Sequence, residues 1–179
     1  MFRRRNRTEA RAASPAEARA QCLELVIEGS RMLEHGRIGK AGRMFGEAAK
    51  LAKGQSYEID IHERIARRYE DRIGKMEGAA RMAAQNWVRA AVLSGDVDDM
   101  IARYVNAARL YRKDGVILPS GASMSRIASV MYRTAADLEL DIAKKKKLLE
   151  LSEEAMRAHQ ERQKQIGSSA ELLRRFRRG

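Results

Sequence analysis

Residues 83–93, Ala-Ala-Gln-Asn-Trp-Val-Arg-Ala-Ala-Val-Leu, contain the pattern that decides the fold of this 179-residue chain. A small or flexible residue is followed after four positions by an aromatic, after seven by a pair of alanines and after ten by a leucine. These offsets place the four positions on one side of an α-helix. Because alanines beside a single ring let another helix approach closely, the stretch predicts a tightly packed helix.

The same pattern occurs in three further places, within residues 41–51, 100–110 and 128–138. Repetition of one helical face predicts helices stacked as hairpins, an architecture that more often binds other proteins than catalyses a reaction. The four copies are Ala41, Phe45, Ala48-Ala49 and Leu51; Ala83, Trp87, Ala90-Ala91 and Leu93; Met100, Tyr104, Ala107-Ala108 and Leu110; and Ala128, Tyr132, Ala135-Ala136 and Leu138.

The composition indicates an all-helical protein. The chain has only two prolines and 5% aromatic residues, and it is long enough to bury one core. We therefore predict an all-α fold of about six helices arranged as antiparallel hairpins, with a long C-terminal helix and basic, flexible ends.

Local signals predict where helices begin and end. The stretch Ser14-Pro15-Ala16-Glu17 has the residues of a capping box with proline in the first helical position. Gly95-Asp96 ends one helix and caps the next. Gly74 and Gly78 favour a turn within residues 56–94 over one continuous helix. The apolar loop 114–122 is expected to tuck under the helices rather than face a partner.

A heptad-spaced stripe begins near Ser123 and predicts a helix that extends to about residue 165. The stripe is apolar as far as Ile142 and becomes polar at Lys145. Its first half is expected to pack on the bundle, and its second half to project or to pair with another helix. Gly167-Ser168-Ser169 predicts a hinge. These signals divide the chain into a disordered basic N-terminal tail (1–13), a helical hairpin domain (14–142), a charged helical extension (143–166) and a basic C-terminal tail (167–179).

The charge of the chain is concentrated at its ends. The net charge is +12, of which residues 1–20 carry +4 and residues 141–179 carry +5, so the region between them carries only +3. Basic ends favour anionic partners: an acidic protein, nucleic acid or an anionic membrane surface. Arginine suits bidentate contact with phosphate or carboxylate. The candidate partner- or phosphate-binding residues are Arg3, Arg4, Arg5, Arg7, Lys144, Lys145, Lys146, Lys147, Arg174, Arg175, Phe176, Arg177 and Arg178.

Two of these groups have alternative interpretations. Residues 144–147 point around most of a helix, so a solvated surface is the simpler interpretation and phosphate contact the alternative. The terminal arginine clusters are either solubilising tails or contact sites. Phe2 and Phe176 lie within those clusters, where an aromatic ring can stack on a base or enter a membrane interface.

The sequence offers no catalytic, metal or cofactor site. His35, His62 and His159 are widely separated, and His62-Glu63 lacks the second histidine of a helical zinc site. Glycine-rich phosphate loops are absent. The single cysteine, Cys22, excludes an intramolecular disulfide and is expected to be a buried, inert thiol in a reducing, cytoplasmic compartment. No apolar run is long enough for a transmembrane segment.

Residues 25–53 resemble a tetratricopeptide repeat. That repeat favours glycine, a large residue, a turn residue, alanine, an aromatic and alanine at six positions. Later copies depart from its 34-residue period, although the 17 residues between Trp87 and Tyr104 are half of it. The matching residues are Gly29, Met32, Gly36, Ala41, Phe45 and Ala48.

Residues 20–140 also resemble, more loosely, the soluble attachment proteins of the vesicle-fusion machinery, whose irregular helical hairpins carry similar aromatic and alanine positions. Both resemblances imply a scaffold for protein–protein contact, not fusion activity. We therefore expect a non-catalytic adaptor or scaffold subunit of a larger assembly, binding an acidic or helical protein. The alternatives are nucleic-acid backbone binding and peripheral binding to anionic membranes through the Phe/Arg ends. Self-association through residues 124–156 is also left open.

Overall fold

The computed structural model of this chain describes residues 14–114 and 123–176, with side chains described except at residue 114 and at 169–176. The regular elements in these ranges are helices, so the all-α prediction is confirmed, as is the long C-terminal helix. Residues 1–13 and the apolar part of the predicted loop lie outside the described residues. The helices of the described ranges are α1 Pro15–Glu34, α2 Ile38–Ala52, α3 Glu58–Glu70, α4 Ala79–Leu93, α5 Val97–Asp114, α6 Met124–Leu138 and α7 Ile142–Phe176.

The chain forms two compact units, one ending at Tyr57 and the other beginning at Glu58. The first unit contains α1 and α2, and the second contains α3 to α7. This boundary falls inside the segment 14–142 that the sequence pattern treats as one domain.

The first unit is a helical hairpin. The Ser14 hydroxyl accepts the backbone N–H of Glu17 at 3.2 Å, and the Glu17 carboxylate accepts the N–H of Ser14 at 2.6 Å, which confirms the predicted capping box. The positive φ of Gly36, 69°, lets the chain turn after α1. Between the helices lies a small core that includes Cys22, Val26, Leu33, Phe45 and Ala48.

The two helices of this hairpin approach each other closely at Gly29. A Cβ built on Gly29 of α1 would lie 2.6 Å from Cε1 of Phe45 on α2, so only glycine accommodates the ring at this distance. Gly46 of α2 differs, since a Cβ there would meet nothing within 4 Å. Replacement of these two glycines by alanine is therefore expected to change the free energy of unfolding in opposite directions.

We predict that Gly29→Ala lowers the free energy of unfolding by about 1–3 kcal/mol, because the Phe45 ring must move out of its site. Gly46→Ala, the matched control, is expected to raise it by up to about 1 kcal/mol, because alanine is the better helix former. Urea unfolding followed by circular dichroism measures both. Equal stability of Gly29→Ala and the wild type would contradict the close approach.

The capping box also makes α1 sensitive to pH. Hydrogen bonds from the backbone and side chain of Ser14 lower the pKa of Glu17. Because the folded pKa lies below the unfolded one, the stabilisation is present above the unfolded value, about 4.3, and is lost as the pH falls through the folded value.

We therefore predict that Glu17→Gln is less stable than the wild type at neutral pH and that the difference shrinks on acidification below about pH 4.3. Glutamine keeps the capping geometry and removes the charge. Urea unfolding at a series of pH values measures the difference. A stability difference between the two proteins that stays constant down to acidic pH would show that ionised Glu17 does not stabilise the fold.

In the second unit each helix packs against the next along the chain, α3 on α4, α4 on α5, α5 on α6 and α6 on α7. Gly74 and Gly78 adopt positive φ values of 83° and 74° between α3 and α4, so the predicted turn within residues 56–94 is confirmed. The Asp96 carboxylate accepts the backbone N–H of Asp99 at 2.9 Å, as expected for the cap of α5.

The prediction of one helix from Ser123 to about residue 165 is wrong. The backbone becomes extended at Glu139, and α7 begins at Ile142 after the Asp141 carboxylate accepts the N–H of Lys144 at 2.9 Å. The predicted stripe changes as a result, because Ile142 is 85% exposed. Further along α7 the buried side chains are Leu148, Ser152 and Ala155.

The predicted hinge at residues 167–169 is also wrong, because these residues lie within α7. Gly167 lowers helix propensity without ending the helix, and the hydroxyl of Ser168 donates to the carbonyl of Lys164 one turn earlier at 2.9 Å. The helical backbone therefore continues through the first ten residues of the segment predicted as a basic tail.

The repeated pattern is mainly a packing pattern. Three of its aromatics, Phe45, Trp87 and Tyr132, are buried, as are most of its alanines. The leucine position varies, since Leu51 and Leu93 are more than 40% exposed whereas Leu110 is buried. An offset of ten residues turns a helix about 80° away from the first residue, which puts the leucine at the edge of the buried face.

Candidate partner-binding clefts

Helix α4 packs against both α3 and α5. Its buried residues are six alanines and Trp87. Because most of these side chains are short, a neighbouring helix can pack closely on each side of α4. A narrow exposed strip of α4 remains between its neighbours, formed by Gln85, Arg89 and Val92.

This strip is the floor of a cleft of about 520 Å³, which we call the α4 cleft. Val88 and Leu93 continue the floor along α4, while Tyr111 of α5 lines it as well. Val92 is 65% exposed and Leu93 is 41% exposed, so the floor has an uncovered apolar end.

The α3 side of the cleft contains Glu58 and the buried imidazole of His62. The Asn86 amide nitrogen donates to the Met82 carbonyl at 2.9 Å, so its oxygen faces His62 Nδ1 at 3.0 Å. Nδ1 is therefore the donor of this pair. The other ring nitrogen, Nε2, lies 4.0 Å from the Glu58 carboxylate. These contacts fix the imidazole before any partner binds.

Arg103 of α5 ties the helices together near this site. Its Nε donates to the Glu63 carboxylate of α3 at 2.8 Å, and its Nη1 donates to the Ser94 hydroxyl at 2.8 Å and lies 3.1 Å from Asp99. The Arg103 side chain is only 12% exposed. The network therefore joins α3, the C-terminal end of α4 and α5.

A second hydrogen bond between helices links α4 to α3, since the indole N–H of Trp87 donates to the Glu70 carboxylate. Glu70 also lines a smaller cleft of about 360 Å³ with Ile73 and, on α5, Asn106, Arg109 and Lys113. This second cleft is polar, and its two cations are exposed on α5. It shares no lining residue with the α4 cleft.

Sequence reasoning did not single out Arg103 or the His62–Asn86 pair as parts of a site. Arg103 follows Asp99 by four residues, a spacing that predicts an ion pair on one helix. Its longer-range partner Glu63 depends on how α3 and α5 come together around α4. That information is tertiary, and no local pattern encodes it.

The predicted site residues lie elsewhere. Lys144 to Lys147 occupy the start of α7, where Lys145 is half-buried and the other three are exposed, and none of them lines either cleft. Arg174, Arg175 and Phe176 form the last residues of α7, with only their backbone described. The predicted residues outside the described ranges are Arg3, Arg4, Arg5, Arg7, Arg177 and Arg178.

Comparison with protein-family models, curated proteins and solved structures finds no match to this chain. The resemblance to tetratricopeptide repeats therefore rests on the residues quoted for it. None of the helices in the described ranges is both long and apolar enough to cross a membrane. Within the same ranges, no three His, Cys, Asp or Glu side chains are grouped as metal ligands would be.

We predict that Arg103→Leu lowers the free energy of unfolding by about 2 kcal/mol, because the partly buried Glu63 carboxylate loses a charged hydrogen-bond donor. Arg64→Ala is the control, since its ion pair with Asp60 at 2.9 Å is far more exposed and is worth only about 0.5 kcal/mol. Chemical denaturation compares the two variants. A cost for Arg103→Leu no larger than that of the control would argue against the network.

Proposed function

We propose that this chain is a non-catalytic adaptor, a subunit of a larger assembly that binds an acidic, helical protein segment in the α4 cleft. The observation that carries the proposal is the combination of an exposed apolar floor at Val92 and Leu93 with a polar wall whose hydrogen bonds are already made. Binding to such a site requires little rearrangement of the adaptor, which reduces the ordering cost of association.

The length of the floor supports a helical segment as the occupant. Gln85 and Leu93 are about 12 Å apart along α4, which corresponds to two turns of helix. Apolar side chains on one face of a partner helix would contact Val92 and Leu93. This mode of recognition is common where an amphipathic helix lies in an apolar groove.

The charge of the cleft supports an acidic partner. Arg89 is exposed on the floor, and it makes no ion pair or hydrogen bond with the described part of the chain. The Glu58 carboxylate, by contrast, lies on the α3 side of the cleft, 4.0 Å from Nε2 of His62. A carboxylate on the partner would pair with Arg89, and the +12 charge of the whole chain would assist the encounter.

The buried thiol is consistent with a reducing compartment such as the cytoplasm, in which the adaptor is proposed to work. Cys22 is fully buried, and burial raises the pKa of its thiol. Its Sγ donates to the Ala48 carbonyl at 3.5 Å. The thiol thus contributes to packing in the first unit.

The test is affinity purification from the native source, with nuclease treatment to remove contacts made through nucleic acid. We predict that Val92→Asp weakens binding of the protein partner at least about tenfold, because a charge would be buried against its apolar face. Val130→Asp is the control, since Val130 of α6 is 50% exposed and does not line the cleft.

Arg89→Glu is expected to weaken binding of the same partner and to reduce the dependence of this binding on salt. Thermal melts of each variant show whether the fold is retained. If a folded Val92→Asp variant recovers the same partners as Val130→Asp with the same affinity, the α4 cleft is not the binding site.

A further inference from the structure

The turn between α6 and α7 exposes apolar side chains to an unusual degree. Leu140 is 93% exposed and Ile142 is 85% exposed, the highest values among the large apolar residues that the structure describes. Both lie at or next to a helix end, where one helix stops and the next begins. They therefore project from an end of the hairpin, and they line neither the α4 cleft nor the smaller polar cleft.

Four lysines follow this apolar pair after one intervening residue, Ala143. Lys144 to Lys147 occupy one turn of α7, so their side chains point in four directions around the helix. We call these four residues the lysine ring. Because its side chains point to all sides of the helix, the lysine ring cannot line a single groove. It can, however, contact a surface that the helix meets end-on, because that surface surrounds the helix on all sides.

The carboxylates of the turn contribute to its backbone structure. Glu139 accepts the backbone N–H of Asp141 at 2.9 Å, and Asp141 accepts the N–H of Lys144 at the same distance. The third carboxylate, Asp137, lies further back on α6. Two of the three acidic groups are thus directed toward the backbone, whereas the lysine ring is mostly exposed.

We propose that the end of the α6–α7 hairpin, residues 139–147, docks end-on into an anionic lipid surface. Leu140 and Ile142 would enter the boundary between headgroups and acyl chains. Lys144 to Lys147 lie about 3–8 Å behind Ile142 along the axis of α7, within the depth at which basic side chains reach lipid phosphates. One lipid surface would then contact both the two apolar side chains and the four lysines.

This surface is independent of the α4 cleft, because none of the residues of the hairpin end lines that cleft. It also differs from the Phe/Arg ends considered from sequence. A lipid surface is favoured over a protein partner because the site is convex and its cations are arranged without a preferred side. The contact is expected to be weak, reversible and sensitive to salt.

The experiment is flotation of the full chain with phosphatidylcholine vesicles that contain or lack phosphatidylserine. The wild type is expected to bind the anionic vesicles and not the neutral ones. Leu140→Ser combined with Ile142→Ser is expected to lower the partition coefficient at least about tenfold, since two aliphatic side chains are lost from the interface. Val130→Ser, which alters an exposed aliphatic residue away from the turn, is expected to bind as the wild type does.

The basic ends of the chain also attract anionic vesicles, so a local readout is needed. Leu140→Trp places a fluorophore at the turn, whereas the native Trp87 is buried. Its emission is expected to shift to the blue on vesicle binding and to be quenched by brominated lipid. Unchanged emission of bound Leu140→Trp, equal binding of the double serine variant, or no binding to anionic vesicles at low salt would each overturn the proposal.

Discussion

The alanine-lined packing of α4 is the constraint on which the second unit depends. Six of its buried positions are alanine, and these lie on the sides that face α3 and α5. Because the side chains there are so short, both neighbours approach closely, and Arg103 of α5 reaches Glu63 of α3. The same packing exposes only a strip of α4, which becomes the floor of the cleft. The alanines of α4 thus account both for the close packing of its neighbours and for the shape of the proposed binding site.

Much of the fold could be predicted from local chemistry. The capping box at Ser14, the cap at Asp96 and the turn between α3 and α4 each depend on residues adjacent in sequence, and each is present. The break at Glu139 was missed because it contains neither glycine nor proline. It depends instead on the carboxylate of Asp141 capping α7, in a stretch whose spacing also suits a continuous helix.

The binding surfaces were less accessible from sequence. Charge predicted sites at the ends of the chain, most of which fall outside the described side chains. The α4 cleft combines residues of three helices, and its His62 is hydrogen-bonded to Asn86, which is 24 positions away in sequence. A repeated pattern identifies the buried face of each helix, but what remains exposed depends on how many neighbours cover the helix. For α4 there are two, which no single copy of the pattern specifies.

The lysine ring shows how a structure changes the meaning of a sequence feature. Within one long helix, residues 144–147 would be a solvated band around its middle. With α7 beginning at Ile142, the same lysines surround a helix end whose neighbours are two exposed aliphatic side chains. We therefore propose different partners for the strip of α4 and for the end of the last hairpin, a protein helix for the first and a lipid surface for the second.

The proposed adaptor function requires the exposed strip of α4 to contact a protein partner. Its most direct test is photo-cross-linking in the native source, with a photoreactive amino acid placed at Gln85 on the strip and, for comparison, at Arg133 on the exposed side of α6. We expect a specific cross-linked protein from position 85 and none from position 133. Cross-links of equal yield from both positions, or none from position 85 in a chain that still assembles with its partners, would contradict it.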